Sequence, residues 1–194
     1  MIIFDPGHNN HILNYNYVDG VFPDDLLKEV QLKLRSYELF EAEVGDGGAN
    51  ERVRKSKVRF ISPSDLGDGF VSRVIETLKE VNDRVFKFDL TGLVEEFQYT
   101  TYDASYQGKY DWHFDEGSSD KSWTRKISMI LILSDPDAYE GGELEIVTEE
   151  GIHPIEQKLG RIIFFPSFLR HKVNPVTKGS RESLVLWASG AAFR

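Results

Sequence analysis

An imidazole and a carboxylate stand two residues apart in the strand-forming run 110–115, as His113 and Asp115. Side chains at positions i and i+2 of a strand point to the same face, about 7 Å apart at their Cα atoms, so this pair can bind one metal ion together. The candidate third ligand is His171, which follows the apolar run 161–166. Two histidines and one carboxylate leave open positions that suit non-haem Fe(II) oxygen chemistry, whereas a closed zinc site usually has a fourth protein ligand.

An arginine and a hydroxyl follow the third candidate ligand. Arg181 lies ten residues beyond His171, and Ser183 follows Arg181 at position i+2 in a strand-like run. A guanidinium fork beside a hydroxyl on one face of a strand is suited to hold a carboxylate in a partly dry pocket. The sequence therefore predicts a site for an anionic cosubstrate next to the metal site.

Further motifs surround these residues in a fixed order, from about residue 97 to residue 190, which is roughly the C-terminal half of the chain. The motifs are Tyr102, Tyr110, His113-Phe114-Asp115, Leu131-Ile132-Leu133-Ser134-Asp135, Gly141-Gly142-Glu143-Leu144-Glu145-Ile146, Gly160, Phe165-Pro166-Ser167, His171-Lys172-Val173-Asn174-Pro175-Val176, Arg181 and Trp187. This series resembles the 2-oxoglutarate- and Fe(II)-dependent dioxygenases, and among them the prolyl 4-hydroxylase-like branch that includes the PKHD-type hydroxylases. A lone His-x-Asp pair is a weak signal, and the ordered series is much more specific.

The resemblance implies a role for each candidate site residue. The implied Fe(II) ligands are His113, Asp115 and His171. Arg181 is the implied partner of the C5 carboxylate of 2-oxoglutarate, Tyr102 resembles a tyrosine that points at the cosubstrate in some relatives, and Ser183 is the implied second contact. O2 is the implied oxidant, and ascorbate is a candidate reductant.

Two features depart from the patterns of some relatives. Some animal members carry a tyrosine on the strand after the His-x-Asp motif, whereas this chain reads Ser128-Met129-Ile130-Leu131-Ile132 there. The collagen-type enzymes use lysine where this chain has Arg181. The assignment of the cosubstrate therefore rests mostly on Arg181, and another 2-oxoacid remains an alternative.

The reaction implied by the resemblance is hydroxylation of an unactivated C–H bond, with release of succinate and CO2. The expected substrate is a prolyl residue in a peptide or protein, with a free amino acid or another small molecule as the alternative. A metal-free jelly-roll binding module would share the same fold, because fold alone does not determine function. A nucleobase demethylase would share the metal ligands, but the acidic charge of the chain disfavours it. The oligomeric state stays open.

Length and composition set the outer bounds. At 194 residues with 40% hydrophobic composition, the chain can bury one core, so we expect a single domain over residues 1–194, with residues 1–90 supporting a metal-binding core at 91–194. Without cysteine, the available metal ligands are His, Asp and Glu, and the expected compartment is the reducing cytoplasm. The first six residues are too short for a signal sequence, and no apolar run approaches the length of a membrane span.

The net charge of −9 speaks against nucleic acid as a partner, because nucleic-acid readers usually show a basic footprint. The one basic cluster, at residues 52–57, contains Arg52, Arg54, Lys55 and Lys57. We interpret it as the solvated flank of a loop, and the alternative is an electrostatic grip on an acidic substrate.

The hydrophobic pattern predicts two helices followed by many short strands. One helix begins after Pro23 with an apolar stripe at Leu26, Leu27, Val30 and Leu34, and a second spans residues 68–85. Strands are expected at residues 37–44, 58–61, 86–88, 93–102, 110–115, 127–133, 142–147, 151–155, 162–165, 169–173 and 183–188. The fold class is therefore α+β and mainly β, with a double-stranded β-helix (jelly-roll) core and the helices packed on its outside.

This architecture also predicts where the loops and the ligands lie. Asp115 and His171 are 56 residues apart in the sequence, but their side chains could meet because the opposed sheets of a jelly roll lie about 10 Å apart. Residues 45–57 form either the tip of a long hairpin or a lid over the substrate. The loop at 116–123 would lie at the mouth of the barrel. The candidate substrate contacts are Tyr110, Trp123, Arg125 and Trp187, of which Trp123 and Arg125 have a structural role as the alternative.

Overall fold

The computed structural model describes residues 14–43, 50–117 and 122–191 of the chain. The structure is 26% helical and 41% strand, which confirms the α+β, mainly β class. Its two α-helices are α1 (Asp24–Arg35) and α2 (Asp68–Val81). The strands are β1 (Asn16–Val18), β2 (Phe40–Glu41), β3 (Arg54–Lys55), β4 (Lys57–Ile61), β5 (Leu90–Gly92), β6 (Phe97–Asp103), β7 (Lys109–His113), β8 (Arg125–Ile132), β9 (Glu140–Gly141), β10 (Leu144–Thr148), β11 (Gly151–Ile155), β12 (Ile162–Pro166), β13 (His171–Val173), β14 (Val176–Lys178) and β15 (Ser180–Gly190).

Among the described residues, two antiparallel sheets, one of eight strands and one of five, form the core. The major sheet has the strand order β1-β12-β8-β15-β6-β4-β2, with β5 paired to β15, and the minor sheet has the order β11-β10-β13-β7-β3. Apolar side chains of both sheets, including Ile130 and Phe165 of the major sheet and Ile146 and Val173 of the minor sheet, form one buried cluster. The sheets therefore pack face to face, as expected for a jelly roll.

The central strands of the major sheet are buried on both faces. On β8, the side chains facing the helices are Ile127, Met129 and Leu131, and those facing the minor sheet are Ser128, Ile130 and Ile132. On β15, the corresponding rows are Leu184, Leu186 and Ala188 toward the helices, and Arg181, Ser183, Val185 and Trp187 toward the minor sheet. Because side chains alternate along a strand, one row builds the helix interface while the other builds the interior between the sheets.

Helix α1 packs on the outer face of the major sheet through the predicted stripe. Leu27, Val30 and Leu34 are buried in the same apolar cluster as the helix-facing side chains of β8 and β15. Acidic residues occupy its first turn and basic residues its last turn, the arrangement that favours the helix dipole. The prediction that the helices lie outside the sheets is confirmed by this packing.

The second helix ends earlier than predicted, and the predicted strand at 86–88 is wrong. After Val81 the backbone widens into a π-type turn, Asn82–Phe86, which closes with the Lys87 amide donating to the Asn82 carbonyl at 2.7 Å. Lys87 then adopts the left-handed conformation, and the Asn82 side chain exchanges two hydrogen bonds with the backbone of Phe88. Local side-chain hydrogen bonds thus override the strand propensity of the two phenylalanines.

Several predicted strands have different bounds. The prediction at 37–44 reduces to β2, and that at 93–102 reduces to β6 with the separate β5 ahead of it. The short strands β1, β3, β9 and β14 were not predicted. Each of them is two or three residues long, which is too short for an alternating pattern to show in the sequence.

The region around the basic cluster is only partly described, because residues 44–49 lie outside the described ranges. The prediction of a hairpin tip or lid at 45–57 therefore falls in part outside the described residues. The interpretation of 52–57 as a solvated flank is wrong for Arg54, which is 8% exposed, and for Ser56, which is 1% exposed. Arg54 lies on β3, which pairs with β7 at the edge of the minor sheet, and Ser56 follows β3 and accepts a hydrogen bond from Arg54.

Within the described ranges, neither α1 nor α2 is long and apolar enough to cross a bilayer.

Phe70→Ala is expected to lower the free energy of unfolding by about 3–5 kcal/mol, because it leaves a cavity where a fully buried ring packs between α2 and the major sheet. Chemical denaturation followed by circular dichroism measures this loss. The matched control is Leu32→Ala on α1, whose side chain is 69% exposed and whose truncation should change stability by no more than about 0.5 kcal/mol. Equal effects of the two substitutions would contradict the assignment of this core.

Candidate active site

Pairing of β7 with β13 brings the two predicted histidine ligands side by side. His113 and His171 are direct partners in the antiparallel register, and their ring centroids lie 4.1 Å apart. Asp115 lies just beyond the end of β7, where its backbone amide donates to the carbonyl of Ser167 at 3.0 Å. The expectation that Asp115 and His171 meet across opposed sheets is therefore wrong, because Asp115 follows β7 and His171 lies on β13, the neighbouring strand of the same sheet.

The side chains of these three residues converge on one point. The Nε2 atom of His113 lies 3.7 Å from Oδ1 of Asp115, and the Nε2 atom of His171 lies 3.6 Å from Oδ2 of the same carboxylate. One ligand atom of each residue lies within 4.8 Å of the other two. Two imidazole nitrogens and a carboxylate oxygen at this spacing can coordinate one metal ion, and three protein ligands leave positions free for exogenous ligands.

Backbone carbonyls set the tautomers of both histidines. Nδ1 of His113 lies 2.8 Å from the carbonyl oxygen of Asp111, and Nδ1 of His171 lies 2.9 Å from that of Leu169. A carbonyl oxygen only accepts hydrogen bonds, so each Nδ1 carries the proton and donates it. Both Nε2 atoms consequently turn a lone pair toward Asp115, which is the form that binds a metal ion.

The charge states of the cluster also suit a metal ion. Burial, aided by the neighbouring His171, lowers the pKa of His113 to about 3, so the ring stays neutral at physiological pH. Burial alone would raise the pKa of Asp115, but the two histidine rings and the Ser128 hydroxyl outweigh it and lower the pKa to about 2. A neutral imidazole beside an ionised carboxylate requires no proton to leave before a cation binds.

Ser128 holds the carboxylate from the opposite sheet. Its hydroxyl donates to Oδ2 of Asp115 at 2.7 Å and lies 3.0 Å from the hydroxyl of Ser167. The sequence prediction did not single out Ser128. The available signal was a lone serine within the apolar run 127–133, a position where a buried hydroxyl needs a partner.

Arg125 holds the backbone of the same loop. Its Nη1 donates to the Asp115 carbonyl at 3.1 Å, and its Nε donates to the Glu95 carboxylate at 2.7 Å. The guanidinium also stacks on the Trp187 ring, 3.7 Å from the centroid. Arg125 is therefore held in a network with Asp115, Glu95 and Trp187, and its side chain also lines the cavity.

A cavity of about 430 Å³ between the two sheets contains this cluster. Among the predicted site residues, the structure brings to its walls His113, Asp115, His171, Arg181, Tyr102, Ser183, Tyr110, Arg125 and Trp187. Trp123 does not belong to these walls within the described part of the chain, and its side chain is 50% exposed. Phe114, which is 56% exposed, lies at the cavity rim beside the metal-binding cluster.

Arg181 is a buried cation at the wall formed by the major sheet. The residue is 1% exposed, and β15 pairs it with Tyr102 of β6, whose ring centroid lies 5.5 Å from the guanidinium carbon. Its nitrogens lie 3.3 Å from the Ser183 hydroxyl and 3.2 Å from the side-chain oxygen of Gln157. Within the described ranges no carboxylate forms an ion pair with it. A buried guanidinium held only by neutral groups favours an anionic ligand, because a buried charge without a counter-charge is costly.

Gly142 makes room for this arginine. A Cβ atom on Gly142 would lie 3.0 Å from Cδ of Arg181 and 2.9 Å from Cγ2 of Val176. Gly141 and Gly142 also have φ angles of +76° and +69°, which favour glycine. The Gly-Gly-Glu motif of the sequence is therefore explained by a tight turn that passes beside the guanidinium.

Gln157 lies in the connection between β11 and β12, and its role was not predicted. Its side-chain oxygen accepts from Arg181, while its side-chain nitrogen donates to the carbonyl of Ile155 at 2.8 Å. A single glutamine in a loop carries no periodic or motif signal, so this contact could not be predicted from the sequence.

Comparison with known proteins agrees with the geometry. Residues 97–189 match the model of the 2OG-Fe(II) oxygenase superfamily. A PKHD-type hydroxylase of Teredinibacter turnerae is 30% identical over 174 residues, which span 84% of this chain and 75% of that protein. A PKHD-type hydroxylase of Hyphomonas neptunium is 29% identical over 178 residues, which span 90% of this chain and 77% of that protein.

Solved structures share the fold. A prolyl-4-hydroxylase of Pseudomonas putida superposes with a TM-score of 0.71 at 22% identity, covering 92% of this chain and 93% of its own. A prolyl hydroxylase of Trichoplax adhaerens was solved with a peptide fragment of the hypoxia inducible factor oxygen degradation domain. It superposes with a TM-score of 0.77 at 19% identity, and the match covers 91% of this chain and 84% of that one. These likenesses confirm the jelly-roll core. The chain belongs to the PKHD-type hydroxylases of the 2-oxoglutarate- and Fe(II)-dependent oxygenase superfamily.

Proposed function

We propose that this enzyme hydroxylates an unactivated C–H bond of a prolyl residue in a peptide or protein, with Fe(II) bound by His113, Asp115 and His171. 2-Oxoglutarate is the cosubstrate, and succinate and CO2 are the accompanying products. The observation that carries the proposal is the convergence of the three ligand side chains in a cavity that also contains the buried Arg181, which has no carboxylate partner among the described residues. Both helices pack on the outer face of the major sheet, which forms one wall of this cavity.

The donor set fits Fe(II). Two neutral imidazoles and one carboxylate form the facial set of protein ligands found in non-haem iron oxygenases, with open positions for a chelating cosubstrate and O2. When bound, the iron supplies the redox chemistry that couples O2 and the 2-oxoacid to C–H oxidation. The chain itself fixes the geometry, since Ser128 orients the Asp115 carboxylate and two backbone carbonyls orient the imidazoles.

Arg181 fits the distal carboxylate of 2-oxoglutarate. Its guanidinium can form charge-assisted hydrogen bonds with a carboxylate in a region from which water is largely excluded. The Ser183 hydroxyl and the Tyr102 ring lie beside it, and Ile130 and Val185 add apolar surface to the same cavity. Such a wall keeps water from the anion and thereby strengthens its pairing with the arginine.

A prolyl substrate is supported by the names of the structural neighbours and by the open rim of the cavity. One of these neighbours was solved with a peptide bound, and the exposed Phe114 beside the metal ligands gives a peptide apolar surface to contact. A free amino acid is the second candidate, because another cation, Arg54, lies buried in the same cavity. The alternative of a metal-free binding module is set aside by membership in a hydroxylase family.

Ser128→Ala is expected to weaken Fe(II) binding about 10- to 100-fold, because the Asp115 carboxylate loses the hydroxyl that orients it. Anaerobic titration with Fe(II), or with Mn(II) as a stable substitute, measures the affinity. The matched control is Ser134→Ala, which removes another buried serine hydroxyl, one that accepts from the Glu182 amide at 2.6 Å. Metal affinity that falls equally in both variants would show that general destabilisation is responsible.

Arg181→Ala is expected to raise the KM for 2-oxoglutarate roughly 10- to 100-fold while metal affinity is retained, because the guanidinium pairs with the cosubstrate and not with the metal. Succinate formation at varied 2-oxoglutarate, with Fe(II) and ascorbate present, measures this effect.

The control for this experiment is Arg161→Ala, which removes another almost completely buried arginine, one that immediately precedes β12. Arg161 pairs with Asp19 and Glu156 instead of lining the cavity, so its loss should reduce stability without changing the KM. An unchanged KM in Arg181→Ala would refute the assignment of the cosubstrate site.

A further inference from the structure

Arg54 is a second buried guanidinium in the cavity, and the reaction outlined above does not use it. It lies on β3, the edge strand of the minor sheet, and pairs in register with Tyr110 of β7. Its guanidinium carbon lies 4.5 Å from the centroid of the Tyr110 ring, and that ring stacks on His113 with centroids 3.4 Å apart. Arg54 and the metal ligand His113 therefore contact the same phenol ring.

The hydrogen-bonding capacity of Arg54 is only partly used. Its Nε donates to the Ser56 hydroxyl at 2.8 Å, whereas its buried Nη2 finds no hydrogen-bond partner within the ranges that the structure covers. Glu43 lines the same cavity, but it forms no ion pair with Arg54. The residue is only 8% exposed, so water offers it little compensation.

The contact with Tyr110 offsets part of this cost but does not remove it. A cation over an aromatic face is stabilised by less than the burial of a charge without a counter-charge costs. A guanidinium with an unfilled N–H donor at the wall of a cavity is the arrangement that binds a carboxylate with charge-assisted hydrogen bonds. The unfilled donor thus indicates an anion that comes from outside the described residues.

The position of Arg54 separates this anion from the cosubstrate. Arg181 projects from β15, a central strand of the major sheet. Arg54 projects from β3, the edge strand of the minor sheet. Tyr110 and His113 line the cavity beside Arg54, and Ser183 and Tyr102 line it beside Arg181. One cavity thus offers two guanidinium groups, each with its own aromatic ring.

We propose that Arg54 binds a carboxylate of the substrate and thereby selects substrates with a negative charge next to the carbon that is hydroxylated. This proposal rests on the proposed function for the identity of the reaction. The carboxylate is either the α-carboxylate of a free or C-terminal residue, or the side chain of an acidic residue beside the target in a peptide. Both sources present the same planar, two-oxygen anion to the guanidinium.

Paired probes that differ only in this charge test the proposal. For the α-carboxylate, the probes are N-acetylproline and N-acetylprolinamide, and for the side chain they are the amides of N-acetyl-Pro-Glu and N-acetyl-Pro-Gln. Binding is measured calorimetrically under nitrogen to the full chain loaded with Mn(II) and 2-oxoglutarate, so that Arg181 is already occupied. In at least one pair, the wild type should bind the charged member about tenfold or more tightly than the neutral one.

Arg54→Gln should abolish this preference, and Arg54→Lys should retain part of it, because the charge stays while the planar fork is lost. The matched control is Arg52→Gln, which removes an exposed arginine of the same cluster and should leave the preference unchanged. Thermal unfolding of each variant tests whether Arg54 has a purely structural role. If it does, Arg54→Gln lowers the Tm and leaves the charge preference intact, and this result would overturn the proposal.

The remaining outcomes separate this proposal from the proposed function. Equal binding of both members in each pair, or binding of neither, by a chain that does bind Mn(II) and 2-oxoglutarate would overturn the role of Arg54 alone. Failure to bind Mn(II) and 2-oxoglutarate, together with a charge preference that disappears in Arg54→Gln, would overturn the proposed function and leave the carboxylate site standing. The pair that shows the preference identifies the source of the carboxylate.

Discussion

The antiparallel pairing of β7 with β13 is the constraint on which the metal-binding cluster depends. This pairing sets His113 directly opposite His171, and the end of β7 then places Asp115 against both Nε2 atoms. Hydrogen bonds from the two Nδ1 atoms to backbone carbonyls come from the same two chain segments. Backbone geometry therefore determines the position, the tautomer and the orientation of the ligands together.

Around this cluster, the interior between the sheets is unusually rich in charge for a buried region. The Asp115 carboxylate accepts a hydrogen bond from Ser128, and Arg125 forms an ion pair with Glu95. The two remaining guanidinium groups, on Arg54 and Arg181, have only neutral partners within the described ranges. In a low-dielectric cavity such groups attract anions, and these two lie on different sheets, Arg181 on β15 and Arg54 on β3.

Much of the fold could be predicted from the sequence, because periodicity reports burial directly. The stripe of α1 and the apolar runs of β8, β12 and β15 indicated the buried elements, and the ordered motifs indicated His113, Asp115, His171 and Arg181 as one site. The prediction failed where long-range contacts outweigh local pattern. Arg54 belongs to a run of basic residues that is typical of a solvated segment. It is buried because β3, which carries it, pairs with β7. Phe88 has strand propensity, but the Asn82 side chain captures its backbone.

The two-sided burial of β15 separates two kinds of evolutionary change. Residues of one row face the helices, and residues of the other row face the cavity, so substitutions in the cavity row can alter ligand preference without disturbing the helix interface. Insertion or deletion of a single residue would exchange the two rows and move Arg181 into the helix interface. Lineages that diversify this enzyme are therefore expected to vary the identity of cavity-facing residues while keeping the length of the strand fixed.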